Sequence, residues 1–455
     1  MKKSLFAFVC FLYVSVAYSQ NNDSLMVKKI VDEVMTSATA YSNLRMLCKQ
    51  VGPRLSGSDN YLQAVKLTQK MLKDAGADTV YLQECMVPHW VRGNKEKGEL
   101  ILSDGKKNPL HLTALGNSVA TPAKGISAPV IEIRSMAELA NLASVIKGKI
   151  VFFNFKMNPT YINTFRAYGE SGVSRTRGPA LASKYGAVGV LVRSLTNNLS
   201  DYPHTGVTIY NDSFPKIPAV AISTNDAEYL SKELMKKKVT KAWFNTDCKM
   251  LPDAKGYNVV GEIKGSAFPA EIITVGGHLD SWDLAEGAND DGSGVTQSIE
   301  VLRTFKAMGI QPKRTVRAVL FVNEENGERG GEAYLAEAKS KNENHIFALE
   351  SDAGGFTPRG FSFDVTAVQW NKIMGWKNYF YHSGVYDFSK GGSGSDVGPL
   401  KEIGAALAGL IPDSQRYFDI HHAPTDVFEN VSERELNLGA ANMAALIYLV
   451  SEYGM

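Results

Sequence analysis

From Gly261 onward the chain alternates strand, loop and helix, and that alternation leaves few architectures open. Glu271 to Gly277 (EIITVGG) reads as a strand, and Val295, Ile299, Leu302, Phe305 and Met308 recur at steps of three and four along a helix. Thr315 to Val322 and His345 to Leu349 are two further strands. Their apolar character is almost continuous, which a sheet tolerates only when both of its faces are covered. The expected fold class is α/β, a mixed, mostly parallel central sheet with helices on both faces. In such sheets ligands bind beyond the carboxyl ends of the strands.

The chain before this region differs in texture. Lys2 and Lys3 precede a short apolar run from Leu5 to Ala17, and Ala17, Tyr18 and Ser19 form a small-x-small pattern, so residues 1–19 read as a cleaved signal peptide. The run is too short to cross a hydrocarbon core of ~30 Å. The expectation is an exported protein, periplasmic or secreted, without stable membrane insertion. Residues 23 to 50 read as helical, and Ser58 to Ala75 as an amphipathic helix that Ser58 or Asp59 can cap and Gly76 can end. Between residues 116 and 252 lie short β-branched runs at Pro129 to Ile133, Lys149 to Phe153, Val188 to Val192 and Pro218 to Ile222, separated by turn residues. This stretch has few clustered ionisable residues, and it reads as an accessory module inserted into a larger domain made of residues 23–115 and 253–455. Lys+Arg total 49 against Asp+Glu 47, a formal charge of +2, so no global charge draws the chain to nucleic acid. Beyond the leader, Cys48, Cys85 and Cys248 permit at most one intramolecular bridge and lack metal-knuckle spacing.

The chemistry gathers where the strands end. His278 and Asp280 follow the first strand, Asp290 and Asp291 precede the helix, Glu324 and Glu325 follow the second strand after Asn323, and Asp352 follows the third. On parallel strands these side chains would crowd one sheet edge, where the carboxylates repel each other and Arg329 alone cannot neutralise them. Divalent cations can. Histidine and carboxylate donors without thiolate suit zinc, with manganese or cobalt as substitutes. His421 and His422 both offer a second histidine, His-Glu-x-x-His is missing, and two metals about 3.5–4 Å apart bridged by one carboxylate fit best. Gly391 to Leu400 (GGSGSDVGPL) is glycine-rich but lacks the ending of a phosphate loop.

These segments resemble a known family. GGHLDSWDLAEGANDDGSG (Gly276 to Gly294), NEENGERGGEAYL (Asn323 to Leu335), ESDAGG (Glu350 to Gly355) and HHAPTD (His421 to Asp426) look like the metal motifs of the di-zinc exopeptidases, which include bacterial aminopeptidases and glutamate carboxypeptidases. VGPRLSGS (Val51 to Ser58) and HLDSW (His278 to Trp282) point to the plasma glutamate carboxypeptidase branch. The resemblance implies the zinc exopeptidase fold, and Lys147 to Phe153 with Ala182 to Val192 make the insert similar to a protease-associated domain. It also implies that Asp290 bridges two Zn²⁺, with His278 and Asp352 completing one site and Glu325 and His422 the other. His422 is preferred to His421 because the family places this histidine four residues before the Asp of its last motif, here Asp426. Asp280 would orient His278, and Glu324 would be the general base that activates a metal-bound hydroxide. Asp396 would be a polar contact in a loop that lines the pocket.

The implied activity is hydrolysis of short peptides, unblocked dipeptides above all, by a metallo-exopeptidase that is a homodimer in this family. An aminopeptidase would use the same motifs and is the alternative. A non-catalytic binding protein would require missing ligands or base, yet every matching position holds a competent residue. A glutaminyl cyclase-like cyclotransferase would use a single zinc, against the paired motif.

Overall fold

The computed structural model describes residues 22–455, so the leader expected at residues 1–19 lies outside the described residues. An eight-stranded sheet forms the centre. In chain order its strands are β1 (Thr79–Val91), β2 (Lys249–Ile263), β3 (Phe268–His278), β4 (Arg314–Phe321), β5 (Asn344–Glu350), β6 (Pro358–Asp364), β7 (Asp387–Lys390) and β8 (Ala406–Pro412). Across the sheet they run β1-β2-β4-β3-β5-β8-β6-β7. The four middle strands are parallel: Val275 of β3 lies opposite Ala318 of β4 and Leu349 of β5, and Leu349 lies opposite Ala408 of β8. Antiparallel pairs flank them, β1 with β2, β2 with β4 and β6 with β8.

Every residue of β4 is buried, and its side chains divide by the two-residue period of a strand. Val316, Ala318 and Leu320 join a core shared with α1 (Asp59–Asp74), α2 (Ser293–Ala307) and α4 (Glu433–Tyr453). Val319 and Phe321 face the opposite core, shared with Tyr334 and Leu335 of α3 (Arg329–Ser340). The almost unbroken apolar run therefore reflects helices on both faces. α1 begins where Ser58 Oγ accepts from the Tyr61 N–H at 3.1 Å and stops ahead of Gly76, whose φ of +85° suits glycine.

A second module carries two smaller sheets. One has the order Leu112–Ala114, Ala219–Ile222, Gly189–Arg193, Ile150–Phe153, Val130–Ile133; the other runs Lys107–Pro109, Lys97–Leu102, Val239–Asn245, Ile126–Ala128. Ile150, Phe152, Leu191 and Val220 of the first pack against Leu100, Ala242 and Phe244 of the second. Three of these strands precede residue 116, so the structure draws the module from Lys97 rather than from Gly116. Those strands are short and partly exposed, and local pattern gives no hint of their distant partners.

Cys48, Cys85 and Cys248 are buried free thiols. Among the described residues no helix is long and apolar enough to cross a membrane. The aromatic stretch from Trp370 to Tyr381 divides between core and surface: Trp376 and Phe380 are buried, whereas Tyr381 is exposed.

Candidate metal centre

The parallel register of β3, β4, β5 and β8 brings their carboxyl ends to one edge, and the predicted ligands gather there. His278 ends β3, and Asp290 stands in the turn that opens α2. Asn323 adopts φ +69° after β4 and turns Glu324 and Glu325 into the site. Asp352 follows β5, and His422 follows the short helix Tyr417–Ile420 beyond β8.

His278 Nε2 lies 3.2 Å from Asp290 Oδ1 and 3.3 Å from Asp352 Oδ1. His422 Nε2 lies 3.2 Å from Asp290 Oδ2 and 3.1 Å from Glu325 Oε2. Asp290 thus turns one oxygen to each of two poles, with a histidine and a second carboxylate at each. All five side chains are at least three-quarters buried.

The tautomer of His278 follows from its other contact. His278 Nδ1 is 2.9 Å from the Asp280 carbonyl, which only accepts, so this Nδ1 carries the hydrogen, whereas His422 Nδ1 lies between the Thr205 carbonyl at 3.3 Å and the donor Arg175 Nη1 at 3.4 Å. In the neutral His278 ring Nε2 then directs a lone pair at two carboxylate oxygens. That arrangement is repulsive unless a cation lies between them. Two ligands each about 2.0–2.1 Å from a tetrahedral zinc are separated by roughly 3.3 Å, close to all four distances above. Among the described residues Asp290 Oδ2 also finds no hydrogen-bond donor despite its burial. The residues fit two metal ions.

Electrostatics points the same way. Burial pushes Glu325 up to about 8, with the nearby Asp290 adding to it. Burial pushes Asp352 up to about 6 against the opposing effect of His278, and Asp426 up to about 6. At His278 and His422 burial disfavours the charged ring, but neighbouring carboxylates outweigh it and raise both. The protein alone is short of positive charge here.

His421 is the less suited of the adjacent histidines. Its Nε2 approaches Asp290 Oδ2 at 3.5 Å, its ring stacks on His422 at 3.6 Å, and only His422 also pairs with Glu325. His422 itself has φ +60° and is held by the Thr205 N–H, which donates to its carbonyl at 2.9 Å.

Asp280 meets His278 through its main chain. Its backbone carbonyl, rather than its carboxylate, orients His278; the carboxylate is 3.9 Å from Nδ1. Asp280 Oδ1 instead accepts from the N–H groups of Asn323 and Glu324 at 2.7 and 3.2 Å, fixing the turn that carries both glutamates. Burial raises this carboxyl to about 6. Asp426 accepts from the N–H of Asn289 and of Asp290 at 2.8 and 3.1 Å and so supports the bridging residue. Asp396 is buried, and among the described residues neither of its carboxylate oxygens has a hydrogen-bond partner.

Sequence reasoning missed several residues that complete the site. Arg54 is fully buried and donates to the carbonyls of Leu279, Glu286 and Gly287 at 2.6, 2.5 and 2.9 Å, clamping the loop between His278 and Asp290. A cavity of about 210 Å³ above the ligands is closed by Phe165, Tyr168 and Arg175 from the second module. A second cavity of about 620 Å³ opens beside Asp352 and is bounded by Ile162, Phe165 and the loop Gly391 to Gly394. VGPR was visible as a motif without any role for its arginine. Arg175 carries no local signal at all.

Fold and caged ligands together define a metal-dependent exopeptidase. The chain belongs to Peptidase family M28, whose profile matches residues 258–447. It is similar to carboxypeptidase Q of Xenopus laevis, with 37% identity over 418 residues, 91% of this chain and 86% of that one. It is also similar to carboxypeptidase Q of Bos taurus, with 34% identity over 416 residues, 91% and 85% of the two chains. Its structure matches that of a peptidase M28 precursor from Shewanella amazonensis with a TM-score of 0.90 and 31% identity, covering 95% and 97% of the two chains.

Proposed function

We propose that this exopeptidase is a two-zinc carboxypeptidase or dipeptidase that takes short peptides with a free carboxyl end. The direction rests on one observation, the position of Arg175. It is buried, and it lines the cavity over the ligands together with Glu324, Glu325 and Asp352. Its Nη2 donates to Tyr168 Oη at 2.5 Å, and its Nη1 lies 3.3 Å from the Thr205 carbonyl and 3.4 Å from His422 Nδ1, which fixes the guanidinium in the cavity wall. A terminal carboxylate suits that cation, whereas a terminal ammonium would be repelled.

When bound, the two cations would supply Lewis acidity, polarising the scissile carbonyl and acidifying a water. His278, Asp352, Glu325 and His422 would hold them, with Asp290 shared. Glu324 takes the proton of the attacking water on its carboxylate and returns it to the leaving nitrogen. The aromatic wall of Phe165, Tyr417 and Phe418, whose rings lie about 5.0 Å apart, keeps bulk water from the reacting groups. Zinc is proposed from the donor set, with manganese or cobalt as substitutes. The second module is proposed to be protease-associated-like, because its parallel core strands occupy the runs that suggested that likeness.

The test compares a free dipeptide with its C-amidated and N-acetylated forms, using wild-type enzyme and Arg175→Met. C-amidation is expected to lower kcat/KM by ~30- to 100-fold, the worth of about 2–3 kcal/mol, and Arg175→Met to erase that difference. Sensitivity to N-acetylation with indifference to C-amidation would establish the aminopeptidase instead. Export is proposed from the leader alone and is tested by fractionating cells that produce the full chain. The homodimer expected from the resemblance is tested by sedimentation.

A further inference from the structure

Glu324 differs from the ligands in how it is held. Its main chain is fixed by Asp280, but among the described residues its carboxylate accepts one hydrogen bond, from Ser395 Oγ to Oε1 at 2.6 Å. A glutamate side chain left to itself loses roughly 1.5–2 kcal/mol of rotamer entropy on being fixed, and here its surroundings push it away. Glu350 and Asp396 are buried nearby, with three of their carboxylate oxygens unpartnered. The Ser395 hydroxyl opposes that repulsion.

The donor is itself rigidly placed. The Gly391 N–H donates to the Phe363 carbonyl at 3.1 Å, Ser362 Oγ donates to the Gly392 carbonyl at 2.5 Å, and the Val397 N–H donates to Glu350 Oε2 at 2.7 Å. Gly394, at φ +135°, passes so close to Glu350 that a Cβ would meet its carboxyl carbon at 2.2 Å. Residues Gly391 to Gly394 of the same loop line the larger cavity, so the pocket wall and the anchor of the base are one piece of chain.

We propose that Ser395 is a positioning residue for Glu324: its hydroxyl holds Oε1 so that Oε2 faces the reacting water. The proposal rests on the reading of Glu324 as the base. It accounts for a serine within a glycine-rich loop that lacks the ending of a phosphate loop, and it predicts an effect confined to the chemical step.

The experiment measures kcat, KM and bound metal for Ser395→Ala, Ser395→Thr, Glu324→Gln and the double variant Ser395→Ala/Glu324→Gln, all as metal-loaded full chains. Ser395→Ala is expected to lose ~10- to 100-fold in kcat with KM and metal content unchanged, and Ser395→Thr to recover most of the loss. In the Glu324→Gln background the serine substitution should cost nothing more, because the hydroxyl then has no carboxylate to position. An unchanged kcat in Ser395→Ala, or the same fold-loss in both backgrounds, overturns the proposal. Full activity in Glu324→Gln would instead overturn the reading of the base on which it rests.

Discussion

Replacing Arg54 with methionine removes a guanidinium that is fully buried and makes no ion pair among the described residues, yet holds three backbone carbonyls. Hydrogen bonds from a charged donor contribute about 1.5–3 kcal/mol each, and a buried acceptor left alone costs about 1–3 kcal/mol. Three such contacts sum to roughly 5–9 kcal/mol. Methionine also relieves the desolvation of a buried charge, an offset of several kcal/mol, so the expected net loss is ~3–5 kcal/mol. The loop released runs from Leu279 to Gly287 and joins the ends that carry His278 and Asp290, so the metal centre should loosen with it. Urea denaturation of the metal-free protein reads the stability term, and competition with a chromogenic chelator reads metal affinity, expected to fall ~10- to 100-fold. Arg54→Lys retains the charge but offers a point donor instead of a fork, and should recover only part of both. An Arg54→Met protein with unchanged urea midpoint and unchanged metal affinity would refute the clamp.

Glu324→Gln should retain both metal equivalents by elemental analysis while kcat falls ~10²- to 10⁴-fold, the usual contribution of a positioned base. His422→Ala should lose one of the two metal equivalents, whereas His421→Ala should keep both, because only His422 also pairs with Glu325. Glu343 lies away from the centre and is held at about 2: burial alone would raise it, but hydrogen bonds from His345 and Arg317 outweigh that. Its folded pKa is depressed, so its contribution, at most about 3 kcal/mol, is present above the unfolded value of about 4.3 and disappears as pH falls toward 2. The stability gap between wild type and Glu343→Gln, followed by urea denaturation, should therefore narrow below pH 4; a gap independent of pH over that range would remove the ionised carboxylate from the account.

The sequence by itself determined the middle strands of the sheet and the candidate ligands at their ends, for a local reason. Apolar runs such as Thr315 to Val322 report burial on both faces through residues next to one another, and His278, Glu324, Glu325 and Asp352 stand within a few positions of those runs, whereas His422 was assigned through the family resemblance. Parallel pairing then had to bring them to one edge. The tertiary structure decided what the local pattern does not carry. Arg54 meets carbonyls 225 to 233 residues away, Ser395 meets Glu324 across 71 residues, and Arg175 reaches His422 across 247. Each is a single polar residue with no periodicity around it, and its meaning arises only when packing removes water and leaves a particular partner within reach. The same holds for the way Asp280 meets His278. The turn after β4 offered the Asp280 carboxylate two N–H groups, and the carbonyl took the histidine instead.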